Sequence, residues 1–197
     1  MKGDETVEEK KVDRRVRKTK RQLRQALTQL LQQKPIKDIT VREIADLVDI
    51  NRGTFYLHYK DVYDMLEQIE NEIFEEFNAM LTAHPDVDTL DKPLPLLTDL
   101  FSFFTANADM AMALMGPNGD HAFVDKLKNL VKDRCFREWM QMYSNRDAKT
   151  FEYFYSFVVS GCLGLFQTWL ETEMKEPPEE MAALAEKMIL NGVKVLT

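Results

Sequence analysis

A chain of 197 residues, 45% of them hydrophobic, is long enough to bury a substantial core in one or two domains. Two cysteines, Cys135 and Cys162, lie among apolar residues without metal-ligand spacing; this argues against a disulfide framework and fits a reduced, cytoplasmic interior. The net charge of −7 argues against a nucleic-acid partner until it is divided: residues 1–60 hold fifteen Lys and Arg against nine Asp and Glu, and the remainder eleven against twenty-four.

Residues 1–13 are polar and read as a disordered tail with no apolar signal-peptide segment. Leu23, Ala26, Leu27, Leu30 and Leu31 then recur at helical spacing, which predicts a first helix over about Val16–Gln33, ended by Pro35. The basic residues Lys18, Lys20, Arg21 and Arg24 precede or flank this stripe and are expected to meet the phosphate backbone. Thr40 with Glu43 makes a capping box, and Val41, Ile44, Ala45 and Val48 share one face of a second helix. Asp49 and Ile50 form a turn, since Asp tolerates a left-handed backbone. Asn51 caps a short third helix carrying Arg52, Gly53, Thr54 and Tyr56. This is the layout of a helix-turn-helix, whose second helix enters the major groove. Asp61 caps a fourth helix with Met65, Leu66, Ile69, Ile73, Phe77 and Leu81 inward, which leads out of the small domain.

His84–Pro95 reads as a linker. Beyond it the chain turns aromatic and Met-rich. Leu96–Thr105 predicts a short apolar helix, and Asn107 is placed as the cap of another, Ala108–Met115. Gly116-Pro117-Asn118-Gly119 is a break. His121–Tyr143 is amphipathic, with Phe123, Leu127, Leu130, Val131, Cys135 and Trp139 inward. Asp147–Thr172 is apolar on nearly every face, which predicts burial on several sides. Pro177-Pro178 separates it from a last helix, Glu179–Leu196. No strand alternation, no repeat and no run of about 18 apolar residues occurs, so the chain is expected to be soluble and off the membrane. The expected fold is all-α with about nine helices. An N-terminal helix-turn-helix domain spans 1–66, and a C-terminal dimerisation and effector domain spans 67–197.

Within the motif, Thr40 and Tyr56 are candidate phosphate contacts through a helix N-terminus and a phenolic hydroxyl, with Tyr59 and Lys60 beside them. Arg42, Arg52 and Thr54 are candidates for reading base edges. Asn51 doubles as a cap, Gly53 allows a close backbone approach, and Phe55 and Leu57 are expected to pack inward. Over residues 18–66 the chain resembles the tetracycline-repressor (TetR) family of bacterial transcriptional regulators. The resemblance rests on Thr40, Ile44-Ala45, Arg52-Gly53-Thr54-Phe55-Tyr56 and the His58-Tyr59 pair. It brings His58 into the DNA-binding set. Two positions depart from the family pattern: Asp49 stands where a turn glycine is common, and Val62 stands where a lysine is usual.

The resemblance implies a homodimer on a palindromic double-stranded operator. It also implies repression relieved by a small effector, with no cofactor and no metal. Phe157, Gly161, Gly164, Leu165 and Trp169 are the expected dimer residues. An apolar or aromatic effector is expected among Phe104, Met115, Trp139, Tyr143, Tyr155 and Phe166, because Met and aromatic surfaces adapt to varied ligands. No phosphate loop, nucleophile elbow or zinc-protease motif occurs, so no enzyme is expected. The alternative is a module of the same fold that recruits another regulator without reading a specific site.

Overall fold

The computed structural model describes the backbone of residues 3–83, 93–142 and 148–193, and their side chains except at 3–13, 135–142 and 192–193. Nine α-helices and one 3₁₀ turn occur among the described residues. They are α1 (Gly3–Leu31), a 3₁₀ turn (Ile36–Asp38), α2 (Val41–Leu47), α3 (Arg52–Tyr56) and α4 (Val62–Thr82). After these come α5 (Leu94–Ala106), α6 (Ala108–Met115), α7 (His121–Met142), α8 (Ala148–Glu171) and α9 (Pro178–Val193). The expected all-helical class holds. Of the expected linker, 84–92 lie outside the described residues, and Pro95 falls in the first turn of α5, where a missing N–H costs nothing.

The chain divides into two units. The first holds residues 1–72 with 113–119, and the second holds 73–112 with 120–197. In the first unit Leu23, Leu27, Leu31, Ile44, Ala45, Phe55, Met65 and Ile69 form the buried core. The helical spacing in α1 and the α2 stripe therefore point where the sequence predicts. Gly119 is fixed by sterics: a Cβ there would lie 1.9 Å from the Leu114 carbonyl oxygen.

The first helix differs from expectation at both ends. It begins at Gly3, so the tail expected at 1–13 is helical from residue 3. No glycine or proline interrupts the stretch after Gly3. The helix ends at Leu31, and the Gln33 and Lys34 amides both donate to the Leu30 carbonyl in a closing turn before Pro35.

In the second unit α5 packs along α9, and α8 packs on α7 and α9. Phe77, Leu81 and Leu96 are buried together, with Leu100, Phe103, Leu127 and Leu130 against them. A second aromatic group joins Phe101, Phe104, Phe166 and Trp169, with Phe104 and Phe166 centroids 4.3 Å apart. Asn107 closes α5 by donating from its side-chain amide to the Phe103 carbonyl, 3.1 Å. Within the single chain one side of the eighth helix is buried. Phe151, Phe154, Phe166, Trp169 and Leu170 are buried, while Tyr153, Phe157, Gly161 and Gly164 lie exposed on the other side. No helix among the described residues is long and apolar enough to cross a membrane.

Candidate nucleic-acid interface

Two capped helix starts define the site. At α2 the Thr40 hydroxyl accepts from the Glu43 amide at 3.3 Å, and the Glu43 carboxylate accepts from the Thr40 amide at 3.0 Å. Lys34 adds an ion pair to the same carboxylate, 2.5 Å. That ammonium first, then the Thr40 hydroxyl and amide, lowers the Glu43 pKa to about 2. At α3 the Asn51 side chain accepts from the Gly53 amide at 2.8 Å. Between them Asp49 takes φ 53°, the left-handed turn that its short polar side chain tolerates. The two caps and the Asp49 turn are local choices legible in the sequence; the Lys34 pair, nine residues from Glu43, is not.

The recognition segment presents a polar row to solvent. Arg42, Asn51, Arg52, Gly53 and Lys60 are exposed, as is Thr40. Tyr56 is 58% exposed, so its hydroxyl is available. Thr54 and His58 are half-buried. Arg42 is held loosely by Asp46 one turn away, at 3.5 Å; an exposed pair of this kind restrains a side chain little. Burial, then the Lys20 ammonium, pushes the His58 pKa down. A neutral His58 adds a hydrogen-bonding group rather than a charge to this face.

Two residues of the segment stand opposite to expectation. Tyr59, expected beside the phosphates, is 5% exposed and packs its ring 5.6 Å from Phe55. Burial pushes its hydroxyl up to about 12. It is a wedge between α1 and the α3–α4 turn, with Lys20 Nζ 5.7 Å from its ring centroid. Leu57, expected inward, is 79% exposed at the end of α3. The sequence also gives no notice of Tyr63, exposed in the first turn of α4. Only Phe55 follows the inward expectation.

The start of α4 is capped in its turn. The Asp61 carboxylate accepts from the Asp64 amide at 2.8 Å, and the Asp64 carboxylate accepts from the Lys60 amide at 2.8 Å. The Lys60 backbone is thereby fixed while its side chain stays in solvent. Val62 is buried, so the position where the family places a lysine contributes to the core and offers no cation.

Among the expected effector residues, Phe104 and Phe166 lie tilted against each other and Tyr155 stacks on Phe151 in the second unit. Tyr155 also donates to the Lys128 carbonyl. Met115 belongs to the first unit. The Trp139 side chain and Tyr143 lie outside the described residues. Among the expected dimer residues, Phe157 is 68% exposed, Gly161 and Gly164 are exposed, and Leu165 is half-buried. Trp169 corrects that set. It is 1% exposed, its indole N–H donates to the Glu176 carbonyl at 3.1 Å, and its ring lies against Phe101. Its side chain is therefore unavailable to a second chain.

Comparison with known proteins gives two family matches. Residues 23–69 match "Bacterial regulatory proteins, tetR family", and residues 91–191 match "Transcriptional regulator C-terminal region". A curated relative, the uncharacterized HTH-type transcriptional regulator YxbF of Bacillus subtilis (strain 168), is 29% identical over 105 residues. That match covers 52% of this chain and 28% of the relative's own length. Two solved structures share the fold at 15% identity. The fatty acid degradation regulator FadR of Bacillus halodurans has a TM-score of 0.66 and coverage of 88% and 95% of the two chains. FadR of Bacillus subtilis, in complex with stearoyl-CoA, has a TM-score of 0.64 and coverage of 87% and 97%.

Proposed function

This chain belongs to the tetR family of bacterial regulatory proteins and is a DNA-binding transcriptional regulator; on that premise we propose that it acts as a homodimeric repressor of a palindromic operator, released by a small apolar or aromatic effector. The observation that carries the reading is the polar row on α2 and α3. Arg42, Arg52, Gly53 and Tyr56 stand in solvent on helices whose starts are capped, with Asn51 and Lys60 exposed beside them. A backbone capped in this way gives up little loop freedom when it meets a duplex. In this reading Arg52 and Arg42 grip guanine, Thr54 contacts a base edge, and the exposed Leu57 meets a thymine methyl. Tyr56, Lys60 and the α2 N-terminus at Thr40 serve the phosphates.

One five-residue recognition helix reads few base pairs, so specificity calls for two. The exposed side of α8, with Tyr153, Phe157, Gly161 and Gly164, supports a two-fold contact with a second copy, and Leu184 and Met188 give α9 an exposed apolar face as well. The apolar effector draws its support from the aromatic interior of the second unit, and the stearoyl-CoA bound to FadR makes an acyl thioester the first compound to try. Linkage requires any such ligand to favour the conformer that fits the operator less well.

A second reading has one observation in its favour. Buried Val62 removes a cation from the phosphate grip, as a module that recruits another regulator without reading a site would tolerate. Selection of duplexes from a random library by the full chain separates the two. Enrichment of a two-fold symmetric motif, released on adding stearoyl-CoA or another apolar compound, is the expected result. Recovery of duplexes with no common motif would favour the module.

A further inference from the structure

The amino-terminal part of α1 is an element that the helix-turn-helix does not account for. Residues 14–21 read Arg-Arg-Val-Arg-Lys-Thr-Lys-Arg, six cations in eight residues with no carboxylate among them. The stretch precedes the family match, which begins at residue 23. It is helical and continuous with the part of α1 that carries Leu23 and Leu27 into the core, so the core sets its direction. At 3.6 residues per turn, Arg14, Arg17, Lys18 and Arg21 fall within an arc of about 100°. That arc lies roughly opposite the stripe of Leu23, Ala26, Leu27 and Leu30. All four are exposed, as is Arg15.

Its carboxyl end adjoins the DNA-facing segment. Lys20 Nζ lies 5.7 Å from the Tyr59 ring centroid. Arg24, one turn on, pairs with Glu72 of α4 at 3.7 Å. The cations of α1 therefore run from beside Tyr59 towards the start of the helix. Eight helical residues span about 12 Å, and a duplex presents one phosphate charge per about 1.7 Å of axis. The two charge densities are comparable.

We propose that Arg14–Arg21 is a second DNA-contacting element, a helical arm whose Arg14, Arg15, Arg17 and Lys18 lie along phosphates flanking the half-site read by α3. The proposal rests on the DNA-binding reading above and adds sequence-independent affinity to it. A cationic helix face that lies along phosphates adds affinity and reads no bases. Its signature is therefore a steep salt dependence on every sequence.

The test uses the full chain with Arg14→Gln, Arg15→Gln, Arg17→Gln and Lys18→Gln together, since Gln keeps helix propensity close to that of Arg and Lys. Binding to a mixed-sequence duplex is followed between roughly 50 and 200 mM salt. The slope of log affinity against log salt should fall by about 0.9 for each phosphate no longer neutralised, and Lys at the three arginine positions should restore it. Should circular dichroism show the fourfold variant unfolded, the single Arg14→Gln and Lys18→Gln variants read the same slope. A slope equal to that of the unaltered chain would overturn the arm, and so would a loss of affinity with the slope unchanged. The ratio of affinities for selected and mixed duplexes reports on α3 separately: it should hold in the arm variants and collapse in Arg52→Ala. A chain whose slope falls as expected but which never shows such a ratio would refute specific operator reading and leave the arm standing.

Discussion

At the scale of single residues, α3 carries both solvent-facing and core positions. Arg52 is exposed and Thr54 half-buried, whereas Phe55 beside them is in the core. Arg52→Ala and Thr54→Ala should each cost about 1–3 kcal/mol at the selected site and much less on mixed-sequence duplex. Equal losses on both, in a titration at one salt concentration, would assign the pair to phosphate contact. Glu43 makes a different kind of prediction. Its folded pKa of about 2 lies below the ordinary 4.5, so its contribution to stability is complete above about pH 4.5 and is lost as pH falls towards 2. Replacing it by Gln removes that part of the acid sensitivity. The melting temperature of Glu43→Gln should start lower at neutral pH and decline less between pH 4.5 and 2 than that of the unaltered chain. Parallel declines would show that the carboxylate is not held by Lys34 and Thr40 in solution.

At the scale of elements, the turn between α2 and α3 decides where the recognition helix points. Asp49 holds the left-handed conformation there at φ 53°, which a β-branched residue adopts with difficulty. Asp49→Val should destabilise the chain by about 1–2 kcal/mol, while Asp49→Gly should cost nothing and keep operator binding. A Val variant as stable as the Gly variant in thermal unfolding would contradict that geometry. This turn was legible in the sequence, as were the caps at Thr40, Asn51 and Asp61, because each depends on residues within four positions of one another. Leu57 and Tyr59 were not. A helix of five residues is too short for periodicity to fix its faces, and Tyr59 follows its end, where the approach of α1 decides what is buried. Trp169 was misplaced for a related reason. When a helix is apolar nearly all round, the pattern carries no direction, and the partner ring of Phe101 on α5 settles it. The helical start of α1 was missed because residues 3–13 have no apolar stripe, although extending an existing helix avoids the cost of nucleation.

At the scale of the whole molecule, two copies are proposed to present two recognition helices to one symmetric site. Tethering two half-site readers makes the second contact intramolecular and raises affinity without any new contact to DNA. The most direct test places a charge on the proposed subunit face and leaves the DNA face untouched. Gly164 suits it: the residue is exposed, and an added Cβ would meet nothing within 4 Å, so Gly164→Arg should fold. Sedimentation and affinity for the selected palindromic duplex are measured on the same preparation. The expected result is a monomer that binds the palindrome far more weakly than the unaltered chain and a single half-site about equally well. A variant that stays dimeric, or one that becomes monomeric and keeps its full affinity for the palindrome, would contradict a two-copy reader built on this face.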